Sequence, residues 1–530
     1  MSDFDTPQEP TFGSAADQPL GETLGQPFGE PLTETLDTST PDAAPGRGKR
    51  GWIIGGAVAA VAVAGAGAYA VTTFLGGGAD VAEALPADTL GFVSVDLDPG
   101  GKQSIEAFRT MRKFPSLKDS LNKDLGDDLK AQLFDAINAN GDCKLDYQKD
   151  LAPWMGNTAA IGALDGGDAN PLPFVVLEVS DEKAAPAGLK KLAACGDTDP
   201  GEENWVVADG WATLAETQKD AKKVVGAVAK GTLADNTEYK KWSEELGDKG
   251  IVNVYAAPDA AQAMVDAVNQ PGLLDAGAAK DFEGFAATLR FADGGIELEG
   301  VGGADKLTET LPAGVGERVG SLPEDTVAVF AAGASPEYWK QQFDDMSERT
   351  GSDLNALSEE LGITVPDDLV ALLGDSIVLS VGGDINIDEI ANSRDPSSVP
   401  LAITLYGDPD QSEPVLQKLV DGQPEFDGVV GWDRGDDRLV VGPSEAYRQQ
   451  LLDGSGGLKD SASFTSVVPN GADVATVFYI DFNGADNWLY ALAKEADPKV
   501  AENVDPLSAF GLSATVDGDV AHLMLKVSTD

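Results

Sequence analysis

The sequence predicts an α+β fold with two tandem homologous domains, each a mainly antiparallel sheet with helices packed on it, after a disordered tail and one transmembrane helix. Three observations lead to this prediction. Short sequence matches recur in the same order in both halves of the chain, hairpins alternate with single helices within each half, and a long uncharged run precedes both. At 530 residues the chain is long enough for such an organisation.

Residues 1–50 contain many Asp, Glu, Pro, Thr and Gly residues and few large apolar ones. This composition buries too little apolar surface to offset the entropy that is lost on ordering. We therefore expect a disordered acidic tail.

The uncharged run extends from Gly51 to Ala79, and a transmembrane helix is predicted at 51–75. A helix over its 24 residues from Trp52 to Leu75, at about 1.5 Å per residue, crosses a hydrocarbon layer about 30 Å thick. A cleaved signal peptide is the alternative, because Ala68-Tyr69-Ala70 fits a small-x-small cleavage site. The long acidic segment in front favours a membrane span, since signal peptides have short n-regions. The residues expected to anchor the span at its ends are Trp52, Ile53, Ile54, Phe74 and Leu75.

Basic residues set the expected orientation of this span. Arg47, Lys49 and Arg50 directly precede it, and basic flanks stay on the cytoplasmic side of a membrane. We expect a single-pass protein of the cell membrane with a cytoplasmic N-terminus, a linker at 76–84 and extracytoplasmic domains. Membrane lipid is then a partner of the span.

Charge excludes one class of partner. The chain has 89 Asp and Glu against 37 Lys and Arg, a formal net charge of -52. Such a field repels the phosphates of nucleic acids, so nucleic acid is not expected as a partner. A general acidic bias of the proteome explains the same composition and points to no ligand.

The two cysteines, Cys143 and Cys195, both follow the predicted span. In an oxidising compartment a lone pair of cysteines favours a disulfide with a structural role. Two unpaired buried thiols are the alternative.

The repeat begins with LPADTLGFVSVDLDP at 85–99, which recurs as LPEDTVAVFAAGASP at 322–336. The later matches keep the same order: Asp150 with Asp368, Pro173 with Pro400, Lys191 with Lys418, Trp205 with Trp432 and Phe285 with Phe510. A collinear set of this kind predicts a tandem duplication with domains at 85–305 and 320–530. The period is far too long for a solenoid repeat.

Within a copy, the Leu-Pro-x-Asp-Thr phrase precedes the first strand, and the Pro that ends the repeated segment starts the first helix. Later strands are joined across turn sequences such as Asp209-Gly210 and Asp293-Gly294. Hairpins separated by single helices predict an antiparallel sheet with helices on one face. A cleft between the two domains is the expected place for a ligand.

Two segments, ALPADTLGFVSVDLDPGGKQ from Ala84 and CKLDYQKDLAPWMGN from Cys143, together with the basic-flanked span, resemble an actinobacterial membrane-anchored group, domain-of-unknown-function family 3352. The likeness runs from Val81 to the C-terminus. It implies a location in the cell envelope and no activity. The second copy departs from it, with Leu372 in place of Trp154 and no counterpart of either cysteine.

No catalytic, cofactor or metal constellation emerges. His522 is the only histidine and lies in a predicted terminal strand, so no zinc site or charge relay can be assembled around it. Ser120 and Lys123 match Ser-x-x-Lys without the partner motifs of that enzyme class. A calcium loop around Gly141 fails because its first position is Ala136 and its twelfth is Tyr147.

The leading hypothesis is therefore a non-enzymatic envelope protein whose outer domains bind an envelope component or a protein partner. One alternative is a cell-wall enzyme that uses carboxylates, such as Asp150 with Asp96 or Asp98. Another is a sensor that signals through modification of the tail at Thr38, Ser39 or Thr40.

Overall fold

A computed structural model gives the fold. It describes residues 80–96, 100–118, 145–166, 171–194, 203–268, 280–303, 314–333, 335–350, 354–383, 395–423, 426, 428–454, 456–469, 471 and 474–530. The predicted tail, the predicted span with its anchoring and basic residues, and both cysteines lie outside these ranges.

Sixteen strands of the described residues form one antiparallel sheet. Those of the first half (80–303) are β1 (Thr89–Asp96), β2 (Met155–Asp165), β3 (Pro171–Val179), β4 (Trp205–Ala208), β5 (Trp211–Ala215), β6 (Val252–Ala256), β7 (Phe285–Ala292) and β8 (Gly295–Gly303). Those of the second half (314–530) are β9 (Ala328–Gly333), β10 (Ser376–Val381), β11 (Leu401–Tyr406), β12 (Gly431–Arg434), β13 (Arg438–Gly442), β14 (Thr476–Asp481), β15 (Leu507–Asp517) and β16 (Val520–Thr529).

The two halves have the same strand order. From its outer edge, the first half reads β4-β5-β3-β2-β1-β6-β7-β8, and the second reads β12-β13-β11-β10-β9-β14-β15-β16. The halves meet where β8 pairs with β16. Glu299 pairs with Met524 there, and each is the fifth residue of its strand. The halves are therefore related by a pseudo-two-fold axis at this pair, because the two equivalent strands pair antiparallel about equivalent residues.

The predicted fold class of two tandem domains, each with its own sheet, after a transmembrane helix is wrong. The strands of both halves form a single continuous sheet. An edge strand presents unpaired N–H and C=O groups that readily accept another strand. β8 and β16 satisfy each other through eight residue pairs, from Ile296 with Val527 to Gly303 with Val520. In the part of the chain that the structure describes, no helix has the length and apolar character needed to cross a membrane.

The described helices of the first half are α1 (Gly100–Met111), α2 (Pro115–Lys118), α3 (Ala185–Ala193), α4 (Gln218–Val228), α5 (Thr237–Leu246) and α6 (Pro258–Val268). Those of the second half are α7 (Val315–Gly320), α8 (Pro336–Thr350), α9 (Leu354–Leu361), α10 (Asp367–Leu373), α11 (Pro409–Gly422), α12 (Glu445–Asp453), α13 (Ala462–Val467), α14 (Gly484–Ala496) and α15 (Pro498–Val504). Each half has its own main core cluster.

The strands follow from their residues. β2 alternates between buried and partly exposed side chains over nearly its whole length, the period expected of a pleated strand with one face in the core. The β4–β5 turn places Asp209 and Gly210 at φ values of 51° and 79°. Consecutive positive φ values fit the right-handed twist of a two-residue hairpin, which is why the Asp-Gly signal was informative.

The repeated Leu-Pro-x-Asp-Thr phrase forms the same turn in both halves. The hydroxyl of Thr89 donates to the carbonyl of Pro86 at 2.7 Å, and that of Thr326 donates to Pro323 at 2.8 Å. Both threonines are buried, so their hydroxyls need these partners. The second predicted helix start is confirmed at Pro336.

Candidate functional site

A cavity of about 680 Å³ lies in the first half, where β1 begins and β6 ends. It is not in a cleft between two domains, as the sequence had led us to expect. The residues that line it are Ala87, Asp88, Thr89, Leu90, Asp165, Pro171, Asn236, Glu238, Tyr255, Ala257, Pro258, Asp259, Gln262 and Ala263. Its volume is in the range of pockets that hold small organic ligands.

Backbone contacts hold the first wall in place. The amide of Ala87 donates to Gly231 at 3.0 Å, and the amide of Ala257 donates to Leu90 at 2.7 Å. The buried Leu85 accepts from the amide of Leu233 at 2.8 Å. The repeated phrase therefore fixes Asp88 on the rim of the cavity and Thr89 in its wall.

The N-terminus of α5 forms the next wall. Asn236 caps the helix, because its side-chain oxygen accepts from the amide of Tyr239 at 3.0 Å. Its side-chain nitrogen donates to the carbonyl of Ala87 at 2.9 Å. One carboxamide thus joins α5 to the start of β1, and Glu238 in the first turn of the helix lies on the rim.

Tyr255 and Thr89 are the most deeply buried polar residues that line the cavity, each with 2% of its surface exposed. Tyr255 is the larger of the two. Its ring packs edge-on against Tyr239 at 5.2 Å between centroids. Its hydroxyl oxygen is buried and has no hydrogen-bond partner among the residues that the structure describes. Burial raises the pKa of Tyr255 to about 12, with further contributions from Glu238 and Tyr239, so the hydroxyl is neutral at physiological pH.

The rim of the cavity is acidic. Asp88, Asp165, Glu238 and Asp259 are all exposed, and the described lining residues include no Lys, Arg or His. The first turns of α5 and α6 also face the cavity. A helix N-terminus contributes about half a positive charge, so two of them offset about one of the four carboxylates.

The second half differs at the corresponding place. Tyr479 is the counterpart of Tyr255, because β1 pairs Phe92 with Tyr255 and β9 pairs Val329 with Tyr479. Phe464 packs edge-on against Tyr479 at the same 5.2 Å. The Tyr479 hydroxyl, however, lies 3.4 Å from a carboxylate oxygen of Asp481.

Ala257 is the residue of the first half that corresponds to Asp481. The amides of Ala257 and Asp481 make equivalent hydrogen bonds, to Leu90 and Val327. Beyond this point the second half carries a contacting pair of rings, Phe482 and Trp488, at 6.1 Å, whereas the first half carries Pro258 and Met264. The first half thus has smaller side chains than the second half at these equivalent positions, next to its cavity and the Tyr255 hydroxyl.

Metal binding is not indicated for the described part of the chain, where no group of three or more His, Cys, Asp or Glu side chains could hold an ion. No cofactor-binding arrangement was predicted, and the lining suits a polar organic ligand.

A family described as a protein of unknown function (DUF3352) matches residues 53–381, more than half of the chain. The chain belongs to this family. The DUF3352 match spans every lining residue of the cavity and ends at Val381, the last residue of β10. Neither the curated proteins nor the solved structures contain a match to the chain.

Among the acids proposed for an enzyme, Asp150 makes structural contacts in this DUF3352 chain. It pairs with Lys191 at 2.5 Å and accepts from the amide of Asp146 at 3.0 Å. The Lys191 hydrogen bond lowers the pKa of Asp150, and the Asp146 amide lowers it further. Asp96 lies in β1, away from the cavity residues, and Asp98 is outside the described residues.

The cavity residues were missed by sequence reasoning, although a signal for them exists. LADNTEY at 233–239 and LKDSASF at 458–464 share the pattern Leu-x-Asp-Asn/Ser-x-x-aromatic. In both halves the aromatic residue packs against the tyrosine of the next strand. This further match of the duplication would have located α5 and its capping Asn236.

Proposed function

We propose that this chain is a binding protein of the cell envelope that holds a small polar ligand in the cavity around Tyr255, without catalysis. The observation that carries the proposal is the cavity of about 680 Å³ beside Tyr255, whose buried hydroxyl has no hydrogen-bond partner among the described residues. Such a group costs about 1–3 kcal/mol when it is left unsatisfied. A ligand that shifts the cavity lining enough to reach this hydroxyl would recover part of this cost.

The divergence of the two halves supports the proposal. Duplicated halves start with identical side chains, and the second half has a partner for its tyrosine at Asp481. The first half instead has Ala257 beside a cavity. The hydrogen-bonded walls at Ala87 and Asn236 hold the cavity open without a ligand, and preorganisation of this kind favours binding.

For the location, we propose that residues 51–75 hold the chain in the membrane of an actinobacterial cell, with Arg47, Lys49 and Arg50 on the cytoplasmic side. The family match supports this proposal because it begins at Ile53, inside the uncharged run. We expect a protease added to intact cells to digest the portion after residue 79. Complete protection of that portion in cells whose envelope admits the protease would contradict this topology.

The test of binding is a screen of envelope extracts and small polar compounds against the full chain in detergent, read out by native mass spectrometry. The decisive variant is Ala257→Asn, which gives Tyr255 a side-chain partner like that of Tyr479 without adding charge. We expect this variant to lose the bound species. The matched control is Ala187→Asn on the exposed face of α3, which should keep it; equal retention by both variants would contradict the site.

A further inference from the structure

A basic surface lies on α4, in a chain whose formal net charge is -52. The side of the helix opposite its buried residues carries four exposed lysines, which follow the first at three, four and eleven positions: Lys219, Lys222, Lys223 and Lys230. We infer that this lysine face binds the anionic lipid headgroups of the membrane that holds the chain. The inference rests on the proposed location.

The lysine face has no acidic partner in the described part of the chain. None of its four ammonium groups forms an ion pair there, whereas lysines of the neighbouring helices α3 and α5 do. Lys222 donates to the side-chain oxygen of Gln218 at 2.8 Å, and Lys223 donates to the carbonyl of Gly166 at 3.4 Å. Both acceptors are neutral, so the positive charges of the face are not neutralised by contact and can attract an anionic partner.

The second half does not repeat the lysine face. α12 is the counterpart of α4, because the caps Thr217 and Ser444 each accept from the amide three residues further on. The positions equivalent to the four lysines hold Ala446, Gln449, Gln450 and Gly457. Both helices have an exposed side, so solvent exposure alone does not require lysine there. The face is specific to the half that directly follows the predicted span.

The C-terminal end of α4 lies beside the segment that leads in from the predicted span. The amide of Ala87 in that segment donates to the carbonyl of Gly231, the residue after Lys230, at 3.0 Å. Asp80, the first described residue of the segment, follows the predicted end of the span by five residues. Five residues reach at most about 18 Å when fully extended. The proposed span would therefore keep this side of the first half close to the membrane.

The net negative charge of the whole chain does not prevent such a contact. At physiological salt, exposed charges are screened beyond about 8 Å, so headgroups at α4 would interact with the lysines more than with distant acids. The tether makes the contact intramolecular. Local charge then determines which side of the protein faces the membrane, and lysine is attracted to an anionic lipid surface.

The test measures lysine acetylation of the full chain in nanodiscs of phosphatidylglycerol and in nanodiscs of phosphatidylcholine, by mass spectrometry of peptides. We expect Lys230 to react at least about threefold more slowly in the anionic lipid, because its ammonium group is held at the headgroups. The triple variant Lys219→Gln/Lys222→Gln/Lys223→Gln, which gives α4 the uncharged polarity of α12, should remove this difference at Lys230.

The charge-matched control Lys418→Gln/Lys494→Gln/Lys499→Gln changes three exposed lysines on helices of the second half and should keep the difference. An equal loss in both triple variants would mean attraction through total charge and would overturn the inference. Equal acetylation of Lys230 of the native chain in the two lipids would also overturn it. Both outcomes leave the proposed location in place, whereas a chain that enters neither kind of nanodisc would overturn the location and the inference together.

Discussion

The first and second halves of the sheet share a strand order but differ in the residues that surround one pair of equivalent tyrosines, Tyr255 and Tyr479. Tyr479 is next to Asp481, in a region also occupied by the rings of Phe482 and Trp488. Tyr255 is next to Ala257, and its hydroxyl has no hydrogen-bond partner among the described residues. The backbone pairing is common to both halves, so the difference at this tyrosine lies in the neighbouring side chains. A duplicated fold can thus give equivalent buried residues different polar surroundings in its two copies.

A second contrast shows that side-chain volume is conserved at another pair of equivalent positions. Trp154 is 1% exposed and packs over Gly188, where an added Cβ would lie 1.8 Å from the indole nitrogen. The second half has Leu372 and Val415 at these two positions and packs them in one cluster. A large and a minimal side chain in one half are replaced by two of intermediate size in the other.

The largest effect is expected at the junction of the halves, where Glu297 is 6% exposed and Lys526 is 5% exposed. Glu297 contacts Arg290 at 2.5 Å and Lys526 at 3.6 Å. Glu297→Ala should lower the free energy of unfolding by about 3–5 kcal/mol in urea denaturation, because it removes the buried carboxylate that the two cations share and leaves the buried Lys526 with only the exposed Asp293. Asp235→Ala, which removes an exposed pair with Lys240, is the control and should change it by less than about 1 kcal/mol. Similar values for the two variants would contradict a buried network.

The next effect tests the exchange of volume. Gly188→Val should destabilise the chain by about 1–3 kcal/mol through overpacking, and Trp154→Leu by about 2–4 kcal/mol through a cavity. The double variant reproduces the second-half pair and should be less destabilised than the sum by at least about 1 kcal/mol. Gly226→Ala, at an exposed helical glycine with open space around it, is a neutral control. Strictly additive losses in the double variant would contradict direct compensation.

A smaller effect is expected in alkali. Burial raises the pKa of both Tyr255 and Tyr447 to about 12, above the value of about 10 in an unfolded chain. Their contribution to stability is complete below pH 10 and is lost as the pH rises towards 12. Tyr255→Phe should flatten the fall in unfolding free energy over this window by roughly 2 kcal/mol. An unchanged alkaline profile in this variant would show that Tyr255 ionises as freely as in the unfolded chain.

The smallest effect compares the two copies of an ion pair. Asp150 and Lys191 are 2.5 Å apart, whereas Asp368 and Lys418 are 3.5 Å apart. Because the Lys191 hydrogen bond lowers the pKa of Asp150, the stability from this pair is present above the usual Asp pKa and is lost as the pH falls through the lowered value. Lys191→Met should therefore weaken the acid dependence of stability more than Lys418→Met. If acid titrations of the two variants showed the larger change for Lys418→Met, the second-half pair would be the stronger one, contrary to the two contact distances.

The sequence predicted the local elements well because their signals are local. Three of these signals depend only on neighbouring residues: the turn pairs such as Asp209-Gly210, the alternation in β2, and the turn formed by Leu-Pro-x-Asp-Thr before the first strand. The collinear matches also predicted the shared strand order of the halves. Each of these predictions used information that lies within a short segment of chain.

The pairing of β8 with β16 could not be predicted in this way, because nothing in either strand specifies which edge it will join. The cavity was equally hidden, since it depends on Ala257, Asn236 and Asp88 meeting in space. α5 was missed because the region between α4 and β6 was not aligned to its copy. Asn236 and Ser461, at matching positions before Tyr239 and Phe464, would have supplied that alignment.

Every comparison of equivalent residues depends on the continuous sheet, and a disulfide across the junction tests it most directly. Leu298 and Leu525 pair across β8 and β16, so in a chain with Cys143 and Cys195 replaced by serine, Leu298→Cys/Leu525→Cys should form an intrachain disulfide on oxidation. Leu298→Cys/Leu512→Cys, two strands apart, should not. Mass spectrometry of proteolytic peptides would detect the bond. Its absence from the first pair would mean that the halves form separate sheets, and its presence would support the junction at Glu299 and Met524.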